Sequence, residues 1–150
     1  MGTLPKNANQ FEPMPRAELE ICTVHRAEFL DITPRLQEIA KRNGWKNGIL
    51  TAFVPHTTAG ITIQEGADPD VAYDILGWLE RAIPWVDPAY RHREGNTAAH
   101  IKASLLGSSI RCLLEEGRLR LGTWQAVFFS EFDGPRNRKV WVSIDPAPSV

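Results

Sequence analysis

Thr123–Phe132, TWQAVFFSEF, is the clearest strand of the chain. Side chains alternate along extended backbone, so Gln125, Val127, Phe129 and Glu131 share one face and Trp124, Ala126, Phe128, Ser130 and Phe132 the other. Gln125 and Glu131 therefore point the same way. Asp133-Gly134-Pro135 then turns the chain, and Arg136 to Ile144 is expected to return as a last strand paired with its predecessor. Arg136 and Arg138 fall on one face of that strand, where they can form a charged edge that blocks unwanted pairing or belong to a site.

Outward from this pair, the remaining segments divide into strands and helices. Ile110–Leu114 and Arg118–Leu121 flank Glu115-Glu116-Gly117 as a hairpin or an open turn. Gly48–Val54, GILTAFV, is a nearly continuous apolar run suited to a strand covered on both faces, and a shorter strand follows at Ile61–Gln64. Leu19, Ile21 and Thr23 alternate with Glu18, Glu20 and Cys22 in another strand from Ala17. Thr33-Pro34 opens a helix, with Thr33 as N-cap, and Asn43-Gly44 closes it. Asp68-Pro69 opens a second helix, whose apolar positions Val71, Ala72, Ile75, Leu76, Leu79 and Ile83 repeat at helical spacing before Pro84. Asn96 or Thr97 caps a third, short helix that Gly107 ends, with Ile101 and Leu105 as its packing side. This order predicts an α+β fold with a largely antiparallel sheet, two main helices and one short one. Residues 1–16, with Pro5, Pro13 and Pro15 and no sustained period, are expected to be a loosely ordered lead-in to a single domain over 17–150.

Composition narrows the function classes. A chain of 150 residues with 43 % hydrophobic and 23 % charged residues has the make-up of a folded domain, and a net charge of -1 argues against a nucleic-acid groove. No apolar run reaches the roughly eighteen residues needed to span a bilayer, and the N-terminus lacks a basic start followed by an apolar core, so a cytoplasmic protein without membrane or nucleic-acid partners is expected. Cys22 and Cys112 are far apart in sequence, with no metal-binding spacing, and read as buried thiols.

Chemistry-bearing residues concentrate in His92–Ser109, HREGNTAAHIKASLLGSS. His100 and Ser104 sit four apart on the third helix and share a face separate from Ile101 and Leu105. His92 and His100 meet no standard zinc spacing, and either can be a structural or merely exposed histidine. Pro55-His56-Thr57-Thr58 interrupts the apolar run after Val54 and places polar groups at a sheet end, which suits a ligand site or a turn whose threonines bond to backbone. Asp68 is explained by capping; Glu65 has no such explanation.

Three motifs together, FVPHTTAGITIQEGADPDV at 53–71, HREGNTAAHIKASLLGSS at 92–109 and GRLRLGTWQAVFFSEFDGPR at 117–136, resemble the YjbQ-type family of secondary thiamine-phosphate synthases. The resemblance runs in unbroken order over about residues 18 to 144, with Ala126 where the family often has glycine and Arg111-Cys112-Leu113 in a segment that often carries proline. It implies packed antiparallel sheets, a homotrimer, and a pocket of polar motif residues near a subunit boundary. The residues carried over are His56, Thr58, Glu65, Asp68, His92, Asn96, His100, Gln125 and Glu131. The implied reaction joins an aminopyrimidine methyl pyrophosphate to a thiazole phosphate and releases pyrophosphate.

On this basis His56, His92, His100, Glu65 and Glu131 are the expected catalytic set. Thr58, Asp68, Asn96, Lys102, Ser104, Gln125, Arg136 and Arg138 are expected to bind substrate. The three histidines, in neutral form, suit a shared divalent metal, Mg or Zn, that would stabilise a pyrophosphate leaving group, with Lys102, Arg136 or Arg138 adding fixed positive charge. Without metal, one histidine acts as general acid. Two other classes share the same residues: a metal-dependent hydrolase of a phosphorylated metabolite, and a non-catalytic trimer that binds a metal or small molecule. The mixture of imidazole, carboxylate and cationic groups in separate segments favours an enzyme.

Overall fold

The alternating strands pair into two antiparallel sheets that face each other. In this computed structural model, which describes residues 14–148, the larger sheet contains β1 (Arg16–Cys22), β8 (Asn137–Pro146), β3 (Gly48–Phe53), β5 (Ser109–Glu115) and β6 (Arg118–Leu119) in that order. The smaller has β7 (Gln125–Glu131) between β2 (Glu28–Asp31) and β4 (Ala59–Glu65). Leu19, Ile21, Leu50, Ala52, Val140 and Val142 from the first sheet meet Ile61, Val127 and Phe129 from the second in one core. Helix α1 (Thr33–Arg42) contributes Leu36 and Ile39 to that core. Helices α2 (Pro69–Ala82) and α3 (Thr97–Leu106) cover the outer side of the small sheet, where Leu79, Ala98, Ala99, Ala103 and Phe132 cluster. The mixed α+β class with antiparallel sheets and three helices is therefore present among the described residues.

β7 keeps the alternation read from its sequence and is buried on both faces, since one packs on the large sheet and the other on the helices. Its expected pairing with β8 is not formed. β8 lies between β1 and β3 in the other sheet, while β7 pairs with β2 and β4. The Asp133–Arg136 segment is thus a crossover between layers, which allows the inward residues of both strands to face one another across the core. β2 escaped the sequence reading because four residues, EFLD, are too few to show a period. Thr33 does not cap α1: Ile32 occupies that position, and the Thr33 hydroxyl accepts the Val127 N–H at 2.8 Å, tying the helix start to β7. Of the lead-in, residues 1–13 lie outside the described residues; Arg16 already belongs to β1, and the Pro15 carbonyl accepts the Ile144 N–H. Cys112 is buried as expected, whereas Cys22 is exposed.

The short helix has the predicted bounds and a different buried face. Ile101 and Leu105 face outward, and Ala98, Ala99, Lys102 and Ala103 face the protein. Close packing explains the rotation. A Cβ on Gly60 of β4 would lie only 2.8 Å from the Gly107 carbonyl and 3.3 Å from the Leu106 Cβ, so the helix end rests almost on the strand backbone. Alanines fit there, and branched side chains do not. Lys102, 1 % exposed, extends its stem under this helix and places Nζ 2.7 Å from Glu80 of α2.

Candidate functional site

At one end of the sandwich an open cleft of about 760 Å³ collects side chains from four separate parts of the chain. His56 and Thr58 come from the β3–β4 connection, His92 and Glu94 from the loop before α3, Asn96 and His100 from the start of α3, and Asp133, Arg136 and Arg138 from the crossover and the start of β8. The breaks in pattern seen in the sequence are the sheet ends that form its walls.

Behind the cleft, Glu131 of β7 and Arg138 of β8 form a buried ion pair between the two sheets. Arg138 donates to Glu131 through Nε at 2.8 Å and Nη2 at 2.5 Å. Glu131 is 0 % exposed and also accepts the Thr23 hydroxyl at 2.9 Å and the backbone N–H groups of Phe132 and Asp133. Its carboxylate is thereby fully partnered, which suits a positioning role more than contact with substrate. Arg138, 5 % exposed, also donates from Nη2 to the Thr58 hydroxyl at 2.8 Å. The Thr58 oxygen is therefore an acceptor here, and its own proton is free to turn toward the cleft.

A second set of contacts fixes the start of α3. Asp133 accepts from Asn96 Nδ2 and from Arg136 Nη2, both at 2.9 Å. With its amide nitrogen turned to that carboxylate, Asn96 leaves Oδ1 buried without a partner among the described residues. Its side chain makes no cap to the helix; the Asn96 carbonyl instead accepts the Ala99 N–H at 3.0 Å, and the positive end of the α3 dipole lies at Asn96 on the cleft wall. The His92 and His100 rings meet edge to face with centroids 5.2 Å apart. His92 Nε2 also lies 3.9 Å from Glu94.

His56 differs from the other two. Its Nε2 accepts the Lys139 backbone N–H at 2.9 Å, which assigns the proton to Nδ1. Burial, aided by the nearby Arg138 charge and opposed by Glu131, pushes its imidazole below the ordinary pKa. At pH 7 it is thus a neutral donor. Among the described residues no three His, Cys, Asp or Glu side chains converge closely enough to hold one ion. With His56 Nε2 engaged as well, the metal shared by His56, His92 and His100 does not fit this arrangement.

A profile described as "UPF0047 protein YjbQ-like" matches residues 17–146. The chain belongs to the UPF0047 YjbQ-like family. It is 47 % identical over 126 residues to the UPF0047 protein YugU of Bacillus subtilis, covering 84 % of this chain and 96 % of that protein. A YjbQ/UPF0047 crystal structure from Clostridium acetobutylicum matches at 51 % identity and TM-score 0.82, over 85 % of this chain and 98 % of the other. A hypothetical protein from Aeropyrum pernix matches at 32 % identity and TM-score 0.83, over 89 % and 100 %.

Of the residues predicted for the site of this UPF0047 chain, the cleft gathers His56, Thr58, His92, Asn96, His100, Arg136 and Arg138, with Glu131 behind them. The rest lie elsewhere. Glu65 and Gln125 pair at the far end of β4 and β7, six residues from the Ala59–Glu131 pair and so roughly 20 Å away along the strands. The Asp68 carboxylate accepts the Asp70 N–H as the cap of α2, and Gln125 Oε1 accepts the Gly122 N–H. Ser104 donates to the His100 carbonyl, and Lys102 is the buried partner of Glu80. Sequence reasoning missed Asp133, Glu94 and Thr23. By sequence alone Asp133 is a turn former and Thr23 a strand residue; no local pattern marks either as a neighbour of the cleft.

Two predictions follow from this geometry. Arg138→Met strands a buried carboxylate, and Glu131→Gln strands a buried guanidinium, so each should cost about 3–5 kcal/mol in urea unfolding. The double substitution should cost less than the two single losses added together, because they share one interaction. For His56, a folded pKa below that of the unfolded chain means that the unfolded state takes up protons first as pH falls. Its contribution to stability is present above pH about 6.5 and declines as pH falls toward the lowered folded pKa. Thermal melts of His56→Gln, which keeps an acceptor for Lys139, should therefore show a smaller fall in Tm between pH 7 and pH 5 than the parent; an equal fall refutes the assignment.

Proposed function

We propose that this chain is an enzyme acting on a small phosphorylated metabolite, with a reaction of the thiamine-phosphate synthase type. The observation that carries the reading is the meeting of three histidines with Arg136, Arg138 and the start of α3 around one cleft. Its volume lies in the roughly 300–1,000 Å³ range of small-ligand sites. Two arginines, the positive end of the α3 dipole and the neutral His56 donor outweigh the Glu94 and Asp133 carboxylates on the same wall, which supports a phosphate or pyrophosphate group as ligand.

In this reading, pyrophosphate leaves from the methylene carbon of an aminopyrimidine substrate and takes the C–O electron pair with it. The thiazole nitrogen forms the new C–N bond to that carbon. His100, paired with His92, donates a proton to the departing oxygen, while Arg138 and the helix N-terminus meet the charge developing on it. A second reading, in which water is the acceptor and the chain is a hydrolase, is favoured by the open cleft and by His92, whose side chain is 46 % exposed at its rim.

Purified protein given both phosphorylated precursors should form thiamine phosphate by mass spectrometry, and His100→Ala should lower the rate about 10²-fold. Product unaffected by His100→Ala would overturn the mechanism, and phosphate release without the thiazole acceptor would select the hydrolase. Assembly as a homotrimer belongs to the same proposal and is supported by the outward Ile101 and Leu105. Light scattering should give three times the chain mass of 16.8 kDa; a monomer would refute it.

A further inference from the structure

Phe53 closes β3 at the rim of the cleft, and Trp141 stands directly opposite it on β8. Their rings stack with centroids 5.8 Å apart and planes 28° apart. Both belong to the face of the large sheet turned away from the core, and Trp141 is 51 % exposed. Phe53 also lines a second cavity, of about 700 Å³, together with Glu18, Thr51, Trp141 and Ser143. One aromatic side chain therefore joins the histidine cleft to an aromatic surface beside it.

The Trp141 ring is held in place. Its Nε1–H donates to Glu18 at 3.1 Å, and Glu18 also meets Lys139 Nζ at 2.9 Å. The backbone N–H of the same Lys139 holds His56. β8 thus carries in succession the arginine of the cleft, the support of its neutral histidine, and the aromatic surface. Arg138 and Trp141 are three residues apart and so fall on opposite faces of β8; the way from the arginines to the aromatic surface runs over the end of β3, past Phe53, which lines both cavities.

We propose that Phe53 and Trp141 form a stacking platform for a planar heteroaromatic ring of the substrate whose phosphate lies among the histidines and arginines. This rests on the reading of the cleft as a phosphate site and adds what the substrate must carry. An exposed aromatic face attracts a flat π system more than an aliphatic chain. Thr51 and Ser143, direct cross-strand partners in the same cavity, offer hydroxyls to ring nitrogens, and Glu18 offers an acceptor to an exocyclic amino group.

The test compares calorimetric binding of inorganic pyrophosphate with that of an aminopyrimidine methyl pyrophosphate, in the parent, Trp141→Thr and Trp141→Phe. Thr keeps a strand-forming residue at an exposed position. The ring-bearing ligand should bind the parent roughly tenfold more tightly than pyrophosphate, a gain typical of one stacked base. Trp141→Thr should remove that gain and leave pyrophosphate binding unchanged, and Trp141→Phe should retain most of it. Pyrophosphate binding with no gain from the ring, or a gain that survives in Trp141→Thr, overturns the platform and leaves the phosphate site standing. If the parent binds neither ligand, the phosphate site fails and the platform with it. Should Trp141→Thr unfold, Trp141→Val, with another strand-forming side chain, is judged by the same two affinities.

Discussion

Two sheets packed face to face must end somewhere, and at the end bearing the cleft this protein closes its core with charge. Glu131 and Arg138 arise from facing strands of opposite sheets and bond at 2.5 and 2.8 Å in near-complete burial. Such a pair is stable only when every remaining donor and acceptor is satisfied. Thr23, Thr58 and the first N–H groups of the crossover provide those partners. Each is a neighbour of the cleft or part of its wall. The interaction that seals the sandwich thereby also sets the positions of Arg138, Thr58 and Asp133.

From Asp133 the order extends to the helices. Its carboxylate holds Asn96 at the start of α3 and Arg136 on the crossover, so the helix bearing His100 is registered against the sheet pair at its N-terminal end. At its other end the close approach to Gly60 fixes the same helix against β4. Held at both ends, α3 has little freedom to rotate, and its alanine face is the only one narrow enough for the gap. Lys102 follows as a consequence: it falls on the buried face, and Glu80 neutralises the charge carried there.

The polar motif residues separate into two groups when mapped on the fold. Those near the Glu131 end of β7 converge on the cleft, while Glu65 and Gln125 sit at the opposite end of the same strands. Strand alternation is blind to this difference. It places Gln125 and Glu131 on one face, correctly, yet a shared face on a seven-residue strand still separates them by the length of the strand.

Local pattern determined much of the architecture. Period-two alternation in Thr123–Phe132, the apolar run at Gly48–Val54, the Asp68-Pro69 cap and the Gly107 stop each act over a few residues, and β7, β3, α2 and α3 appear where those signals put them. The same signals marked His56, Thr58, His92, Asn96 and His100, because polar residues interrupting an apolar element are visible without knowledge of its neighbours. What only the tertiary structure decided was partnership: β8 joining the other sheet, Arg138 as the buried mate of Glu131 and not a solvated edge, α3 turned onto its alanines, and Lys102 in the interior. These depend on residues up to about a hundred positions apart in sequence, as Thr23 and Glu131 are. Packing between layers, which has no sequence period, selects them.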